Sequence, residues 1–188
     1  MSFKGIRVDD VKISNGSNKN MILNNAVIEL IQDRFEEGSV ILEFGSGEGS
    51  TQKLSPFYKM ISIEEDSHRV EHDMWKSTGF HASVTPHTSW YDIDVVKKAF
   101  EFAKETYGKI DLIIVDGPAK GKRTGLLYAI AEGDIVIDED TEIIFDDCNR
   151  GDDCDTANAI SKKLGRKLFA GPDSTLVMTT EKRGKLND

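Results

Sequence analysis

Residues 40–51 read VILEFGSGEGST, a short apolar run that leads directly into closely spaced glycines. The apolar run predicts a buried β-strand, and the residues after the glycines predict the start of a helix. Glycines at 45, 47 and 49 permit a tight turn and let a ligand approach the backbone without hindrance from a Cβ atom. Because the N–H groups of the following helix also face such a ligand, we predict a nucleotide-like ligand at this strand–turn–helix unit.

Strands and helices alternate on both sides of this unit. Upstream, residues 20–35 place apolar side chains at helical spacing. Strands alternating with helices form right-handed βαβ crossovers, so the order predicts a doubly wound α/β fold with a mostly parallel seven-stranded sheet. The last two strands are separated by only Pro172 and Asp173 and predict a terminal antiparallel hairpin. The strands after the first are expected at residues 59–65, 81–86, 110–116, 141–147, 167–171 and 174–180.

Length and composition indicate a single domain with a small-molecule partner. The 188 residues suit one hydrophobic core, which we assign to residues 20–188. Residues 1–19 are expected to be an N-terminal extension, either a substrate-side cap or a contact in a homodimer. The net charge of −9 argues against a nucleic-acid partner, and no run is apolar enough to span a membrane. With no secretory signal and two cysteines, we expect a cytoplasmic protein.

The acids around the glycine loop indicate which nucleotide-like ligand it binds. Ser50 stands where a dinucleotide-binding motif would have its third glycine. Glu43, two residues before Gly45, suits a cationic amino-acid group better than a pyrophosphate, and S-adenosylmethionine carries an ammonium and a sulfonium. Glu64 ends the second strand, where a carboxylate can accept hydrogen bonds from ribose hydroxyls. The alternative is that the glycines only form a turn and that Glu64 is a solvated charge.

Four segments together resemble the class I S-adenosylmethionine-dependent methyltransferases: VILEFGSGEGST, MISIEED, IDLIIVDGP and IIFDDCNR. In that superfamily the glycine loop binds the methionine part of the cofactor, and the acid after the second strand binds its ribose. The resemblance covers nearly the whole chain from about residue 20 onward and implies a methyltransferase domain at residues 20–188. The expected cofactor-binding residues are Glu43, Gly45, Ser46, Gly47, Thr51, Glu64, Glu65 and Asp116.

The loops after the fourth and fifth strands resemble those of small-molecule and sugar O-methyltransferases, including plant enzymes that methylate glucuronic acid in xylan. They are also similar to the catechol O-methyltransferases, in which an Asp and an Asp-Asn pair bind magnesium. We therefore expect Asp116, Asp146 and Asp147 to be catalytic and to bind Mg²⁺ or Mn²⁺, which would acidify an acceptor hydroxyl. Alternatively, Asp116 acts as a base without metal, or Asp146 and Asp147 only cap a loop.

Basic and aromatic residues near these loops suggest how the substrates are held. Lys120 and Lys122, together with Arg123, indicate an anionic acceptor such as a uronate or a phosphate, and the alternative is a solvated loop tip. We expect Lys120 and Arg123 to bind the acceptor. The family that the chain resembles also carries an Arg at the position of Arg123. An aromatic ring is expected to stack on adenine, from among His87, Trp90 and Tyr91.

The leading hypothesis is thus an S-adenosylmethionine-dependent O-methyltransferase with a small, sugar acid-like acceptor. An NAD(P)-dependent oxidoreductase would share the first strand–turn–helix unit and the ribose acid. A non-catalytic S-adenosylmethionine-binding protein would share the whole fold, because fold alone does not determine function.

Overall fold

The computed structural model describes residues 23–47, 49–72, 77–118 and 123–180, with the backbone only at residues 71–72. This part of the chain forms one seven-stranded sheet with helices on both faces. The strands are β1 (Val40–Phe44), β2 (Lys59–Glu64), β3 (Thr78–His81), β4 (Leu112–Val115), β5 (Glu142–Phe145), β6 (Leu168–Ala170) and β7 (Leu176–Met178). The helices are α1 (Asn25–Arg34), α2 (Thr51–Leu54), α3 (Ser67–His72), α4 (Ile93–Tyr107), α5 (Thr124–Glu132) and α6 (Gly151–Leu164).

The strand order across the sheet is β3-β2-β1-β4-β5-β7-β6. Strands β1 to β5 are parallel, whereas β7 pairs antiparallel with both β5 and β6. This confirms the predicted α/β fold, the seven-stranded sheet and the terminal antiparallel pair. Because parallel strands end at the same edge, the loops after β1, β2, β4 and β5 lie together.

Alternation along β1 divides the core between the two faces of the sheet. Leu42 and Phe44 belong to the core beneath α4, α5 and α6. Ile41 faces the opposite way and packs with the apolar side of α1, including Val27 and Ile31. All five residues of β1 are buried, as expected for a central parallel strand covered on both faces.

Two predicted boundaries are wrong. The third strand lies at Thr78–His81 and not at residues 81–86, where Ala82 is buried and the residues around it are exposed or half-buried. The apolar periodicity of residues 155–165 predicts a helix that starts at Asp155, whereas α6 begins four residues earlier, at Gly151. Acidic side chains in its first turn favour that earlier start, because they interact well with the N-terminal end of the helix dipole.

Predictions about residues 1–19 lie outside the described residues. Among the helices in the described ranges, none has the length and apolar character needed to cross a membrane.

Candidate active site

The glycine loop after β1 packs directly against the loop after β4. Gly45 has a φ of +87°, and a Cβ atom on it would lie 3.1 Å from the backbone nitrogen of Gly117. A Cβ atom on Gly117 would in turn lie 2.9 Å from the Cα atom of Gly45. Gly47 is different, because the nearest atom to a Cβ there would be 3.9 Å away. Gly45 and Gly117 therefore permit the two loops to meet, whereas a Cβ atom on Gly47 would make only ordinary van der Waals contacts.

Glu64 ties the end of β2 to the glycine loop. Its Oε2 atom accepts hydrogen bonds from the backbone N–H of Ser46 at 2.7 Å and from the Ser46 hydroxyl at 2.9 Å. Its Oε1 atom accepts one from the backbone N–H of Asp66 at 3.0 Å. A carboxylate can accept about four hydrogen bonds, so Glu64 retains capacity for a ligand hydroxyl. Glu65, the next residue, is half-buried.

Glu43 and Thr51 shape the loop from beneath. Both side chains are fully buried. The Glu43 carboxyl accepts hydrogen bonds from Ser50 at 2.6 Å, from Ser62 at 2.5 Å and from Thr51. Burial raises the pKa of Glu43 to about 7. The predicted direct contact of Glu43 and Thr51 with the cofactor does not fit this arrangement, because their polar atoms are engaged with the protein.

Two residues that the sequence analysis did not identify support the loop. Arg69 of α3 donates a hydrogen bond to the carbonyl oxygen of Ser46 at 2.9 Å. Ser62 is a fully buried polar residue within the apolar strand β2. That polar interruption of an apolar run was the available signal for Ser62, since a buried hydroxyl requires a partner.

The three aspartates expected at the carboxyl ends of β4 and β5 do lie together. One carboxylate oxygen from each of Asp116, Asp146 and Asp147 lies within 4.8 Å of the other two. Burial raises the pKa of Asp116 well above its usual range, and the charge of Asp146 acts in the same direction. Burial likewise raises the pKa of Asp146. Such a group of hard oxygen donors suits a divalent cation, or a proton shared between carboxyls.

Arg123 is part of this cluster and does not face solvent. Its side chain is 4% exposed, and it donates to the carbonyl oxygens of Asp116 at 2.8 Å and Asp146 at 2.5 Å. It also donates to Oδ2 of Asp147 at 2.9 Å. The guanidinium thus joins the loops after β4 and β5, and binding of the acceptor by Arg123 stays a prediction. Lys120 and Lys122 lie outside the described residues.

Asp147 is held in an unusual backbone conformation. Its φ is +55°, a left-handed value that Asp tolerates better than most residues. Its Oδ2 atom lies 3.0 Å from the Arg150 guanidinium as well as 2.9 Å from that of Arg123. Two arginines thus share one oxygen of Asp147, so a divalent cation would use its other oxygen.

The aromatic residues after β3 are core residues. Trp90 is 3% exposed and Tyr91 is 1% exposed, and their rings pack on Phe44 with centroid distances of 5.1 and 5.9 Å. Stacking of the Trp90 or Tyr91 ring on adenine does not fit this packing, because both rings lie in the core against Phe44. His87 is exposed. Burial raises the pKa of Tyr91 well above its usual range, and the charge of Glu64 adds to this effect.

Comparison of the sequence with protein-family models gave no match, and comparison with curated proteins gave none. Solved structures with a similar course of the chain include a methyltransferase-like protein from Silicibacter pomeroyi, with 21% identity, coverage of 85% of this chain and 89% of that one, and a TM-score of 0.49. A TehB-like SAM-dependent methyltransferase from Corynebacterium glutamicum shares 19% identity, with coverage of 81% and 85% and a TM-score of 0.47. A SAM-dependent methyltransferase from Geobacter sulfurreducens, solved in complex with S-adenosyl-L-homocysteine, shares 14% identity, with coverage of 82% and 68% and a TM-score of 0.44. At these identities the likeness is confined to the fold.

Proposed function

We propose that the chain is an S-adenosylmethionine-dependent methyltransferase. The observation that carries this proposal is the hydrogen bond from the backbone N–H of Ser46 to Glu64 at 2.7 Å. It joins the carboxylate that we assign to the cofactor ribose to the glycine loop. The same edge of the sheet carries Asp116, whose loop packs on Gly45. A nucleoside over Gly47 would find an acceptor for its ribose in Glu64, and its reactive end would point toward the aspartates.

The aspartate cluster favours transfer to a hydroxyl of a small acceptor. Bound S-adenosylmethionine supplies an electrophilic methyl group. An attacking hydroxyl must lose its proton as the C–O bond forms and the C–S bond breaks. A carboxylate with a raised pKa is a better proton acceptor than an ordinary one, and Asp116 and Asp146 are both of this kind. We assign the proton to Asp116, because its loop is the one that contacts the glycine loop.

A divalent cation belongs to the same proposal. Asp116, Asp146 and Asp147 would hold Mg²⁺ or Mn²⁺ through their carboxylate oxygens, which lie close enough to share one ion. When bound, such an ion lowers the pKa of a coordinated hydroxyl. The proposal of an anionic, sugar acid-like acceptor rests chiefly on Lys120 and Lys122, since Arg123 is engaged inside the protein.

The decisive experiment is calorimetric titration of the purified protein with S-adenosylmethionine, S-adenosylhomocysteine and NAD⁺. We expect both adenosyl ligands to bind and NAD⁺ not to bind. Binding of NAD⁺ alone would support an oxidoreductase instead. Release of S-adenosylhomocysteine is then followed with a panel of uronates and uncharged sugars, and absence of turnover with every hydroxyl acceptor tested would favour a non-catalytic binding protein.

The metal is tested separately, once an acceptor is found. Turnover should fall in EDTA and return with Mg²⁺ or Mn²⁺, while affinity for S-adenosylmethionine is unchanged. Full activity in EDTA would contradict a metal role and leave Asp116 as the base.

A further inference from the structure

Tyr91 carries a buried hydroxyl that no residue in the described ranges pairs. Its ring stacks on Phe44 at a centroid distance of 5.9 Å and meets Trp90 edge-on at 5.1 Å. Its hydroxyl is buried and has no hydrogen-bond partner among the described residues. Phenylalanine would fill the same space without leaving a polar atom unpaired. An unpaired buried hydroxyl destabilises the ligand-free protein, so a hydrogen bond to a bound ligand would account for its presence.

The hydroxyl lies at the junction of the two ligand-facing loops. A Cβ atom on Gly117 would come within 2.3 Å of the Tyr91 oxygen, so the absence of a side chain at Gly117 is what admits the hydroxyl. The same Cβ atom would lie 2.9 Å from the backbone nitrogen of Gly45. The Tyr91 hydroxyl is therefore adjacent to the point where the loop after β1 meets the loop after β4.

Charged groups of the candidate site surround this position. The carboxylates of Glu64, Glu65 and Asp116 all act electrostatically on the Tyr91 hydroxyl. The hydroxyl is thus influenced both by the residue assigned to the ribose and by the residue assigned to the methyl-transfer end. A neutral phenol can donate one hydrogen bond and accept others, so it can serve a polar ligand without adding charge.

We propose that the Tyr91 hydroxyl contacts the cofactor. It would form a hydrogen bond with a polar atom of the adenosyl ligand, where that ligand lies over the junction of Gly45 and Gly117. This inference rests on the function proposed above and adds a binding residue from outside the glycine loop and the acids. The Tyr91 ring is held by Phe44 and Trp90, so its hydroxyl keeps a defined position beside Gly117.

The test compares Tyr91→Phe with Tyr58→Phe. Tyr58 is also buried, but its hydroxyl donates to the carbonyl oxygen of Phe35 at 3.2 Å. Affinities for S-adenosylmethionine and S-adenosylhomocysteine are measured by calorimetry, and the melting temperature of each ligand-free variant by circular dichroism. For Tyr91→Phe we expect affinity for S-adenosylmethionine to fall about three- to tenfold, with a melting temperature equal to or above that of the unmodified protein. Tyr58→Phe should lower the melting temperature and leave both affinities unchanged.

The outcomes separate this inference from the proposed function. If the unmodified protein binds neither adenosyl ligand, the proposed function fails and this inference fails with it. If the unmodified protein binds and Tyr91→Phe binds both ligands equally well, only this inference is overturned. A loss for both ligands supports a contact with a group that they share, and a loss for S-adenosylmethionine alone supports a contact at the sulfonium.

Discussion

Glu43, beneath the glycine loop, should make the free energy of unfolding depend on pH. Its carboxyl is fully buried against Ser50, Thr51 and Ser62, and burial raises its pKa from 4.5 to about 7. Between these two values the folded protein holds a proton that the unfolded chain releases. The contribution of Glu43 to the free energy of unfolding is therefore full below pH 4.5 and is lost as the pH rises toward 7.

Replacing Glu43 by Gln should remove this dependence on pH. We expect the free energy of unfolding of the unmodified protein, relative to Glu43→Gln, to fall by about 3 kcal/mol between pH 4.5 and pH 8. Urea denaturation of both proteins across that range measures the difference. A difference that does not change with pH would contradict a buried carboxyl that titrates near neutrality.

Glu64 should contribute mainly to ligand affinity. Glu64→Ala is expected to weaken binding of S-adenosylmethionine by about 1.5 to 3 kcal/mol, the range for hydrogen bonds to a charged group. Part of that loss comes from Ser46, whose N–H and hydroxyl both bind this carboxylate. Glu64→Gln removes the charge and keeps the size of the side chain, whereas Glu64→Ala removes both. Calorimetry with the two variants therefore separates the two effects on affinity. Glu29→Gln, at an exposed position on α1, is the matched control and should bind normally.

Among the elements, α5 depends on a close contact at its first turn. A Cβ atom on Gly125 would lie 2.0 Å from Cγ of Trp90, a distance that no packing tolerates without movement. Gly151 is also in the first turn of its helix, α6, yet a Cβ atom there would meet nothing within 4 Å. The two glycines therefore have different roles, one in packing and the other only in the start of a helix.

Alanine at these two glycines should have opposite effects. Gly125→Ala should lower the free energy of unfolding by about 1 to 3 kcal/mol or more, the cost of overpacking a core. Gly151→Ala should be neutral or stabilise the protein by up to about 1 kcal/mol, because Ala favours helices. Chemical denaturation of both variants tests the pair, and equal effects would show that Trp90 yields to the added methyl group.

The sequence predicted elements well where the signal was local. The apolar runs of β1 and β4 predicted their strands, and Gly108 and Gly165, residues with a local preference for helix ends, cap α4 and α6 with φ of +77° and +67°. The third strand was misplaced, because residues 81–86 resemble a strand, whereas the pairing contacts with β2 are made by Thr78–His81. Such contacts join distant segments and leave no local pattern.

In the candidate site, too, local features could be predicted from the sequence and contacts between distant residues could not. The loops and their acids could be predicted, because the carboxyl ends of parallel strands share one edge of the sheet. The orientation of individual side chains could not. Arg123 has the charge of a surface residue and is buried, and Glu43 has the charge of a ligand-binding residue and holds hydroxyls of its own loop.

At the scale of the whole molecule, one ion pair joins segments that are far apart in the chain. The Arg34 guanidinium of α1 contacts Glu142 at the start of β5 through two hydrogen bonds, at 2.6 and 3.0 Å. The Glu142 side chain is 1% exposed and that of Arg34 is 13% exposed. The pair fixes α1 on the face of the sheet where Ile31 packs.

Removing one partner should cost far more than removing both. Arg34→Met leaves the Glu142 charge buried and unpaired, and should lower the free energy of unfolding by about 3 to 5 kcal/mol. Arg34→Met combined with Glu142→Gln should recover part of that loss. Urea denaturation of the single and double variants gives the coupling energy, and simple additivity would argue that the two groups act independently.

The placement of β7 has a consequence for synthesis on the ribosome. β7 is made after β6 but occupies the place between β5 and β6. A nascent chain that stops before Leu176 therefore has an apolar β5 whose outer edge is unpaired, and such edges invite pairing with other chains. The sheet is completed when β7 inserts between β5 and β6, so folding of this part must wait until Leu176–Met178 leave the ribosome. Chaperones that shield strand edges would act in that interval.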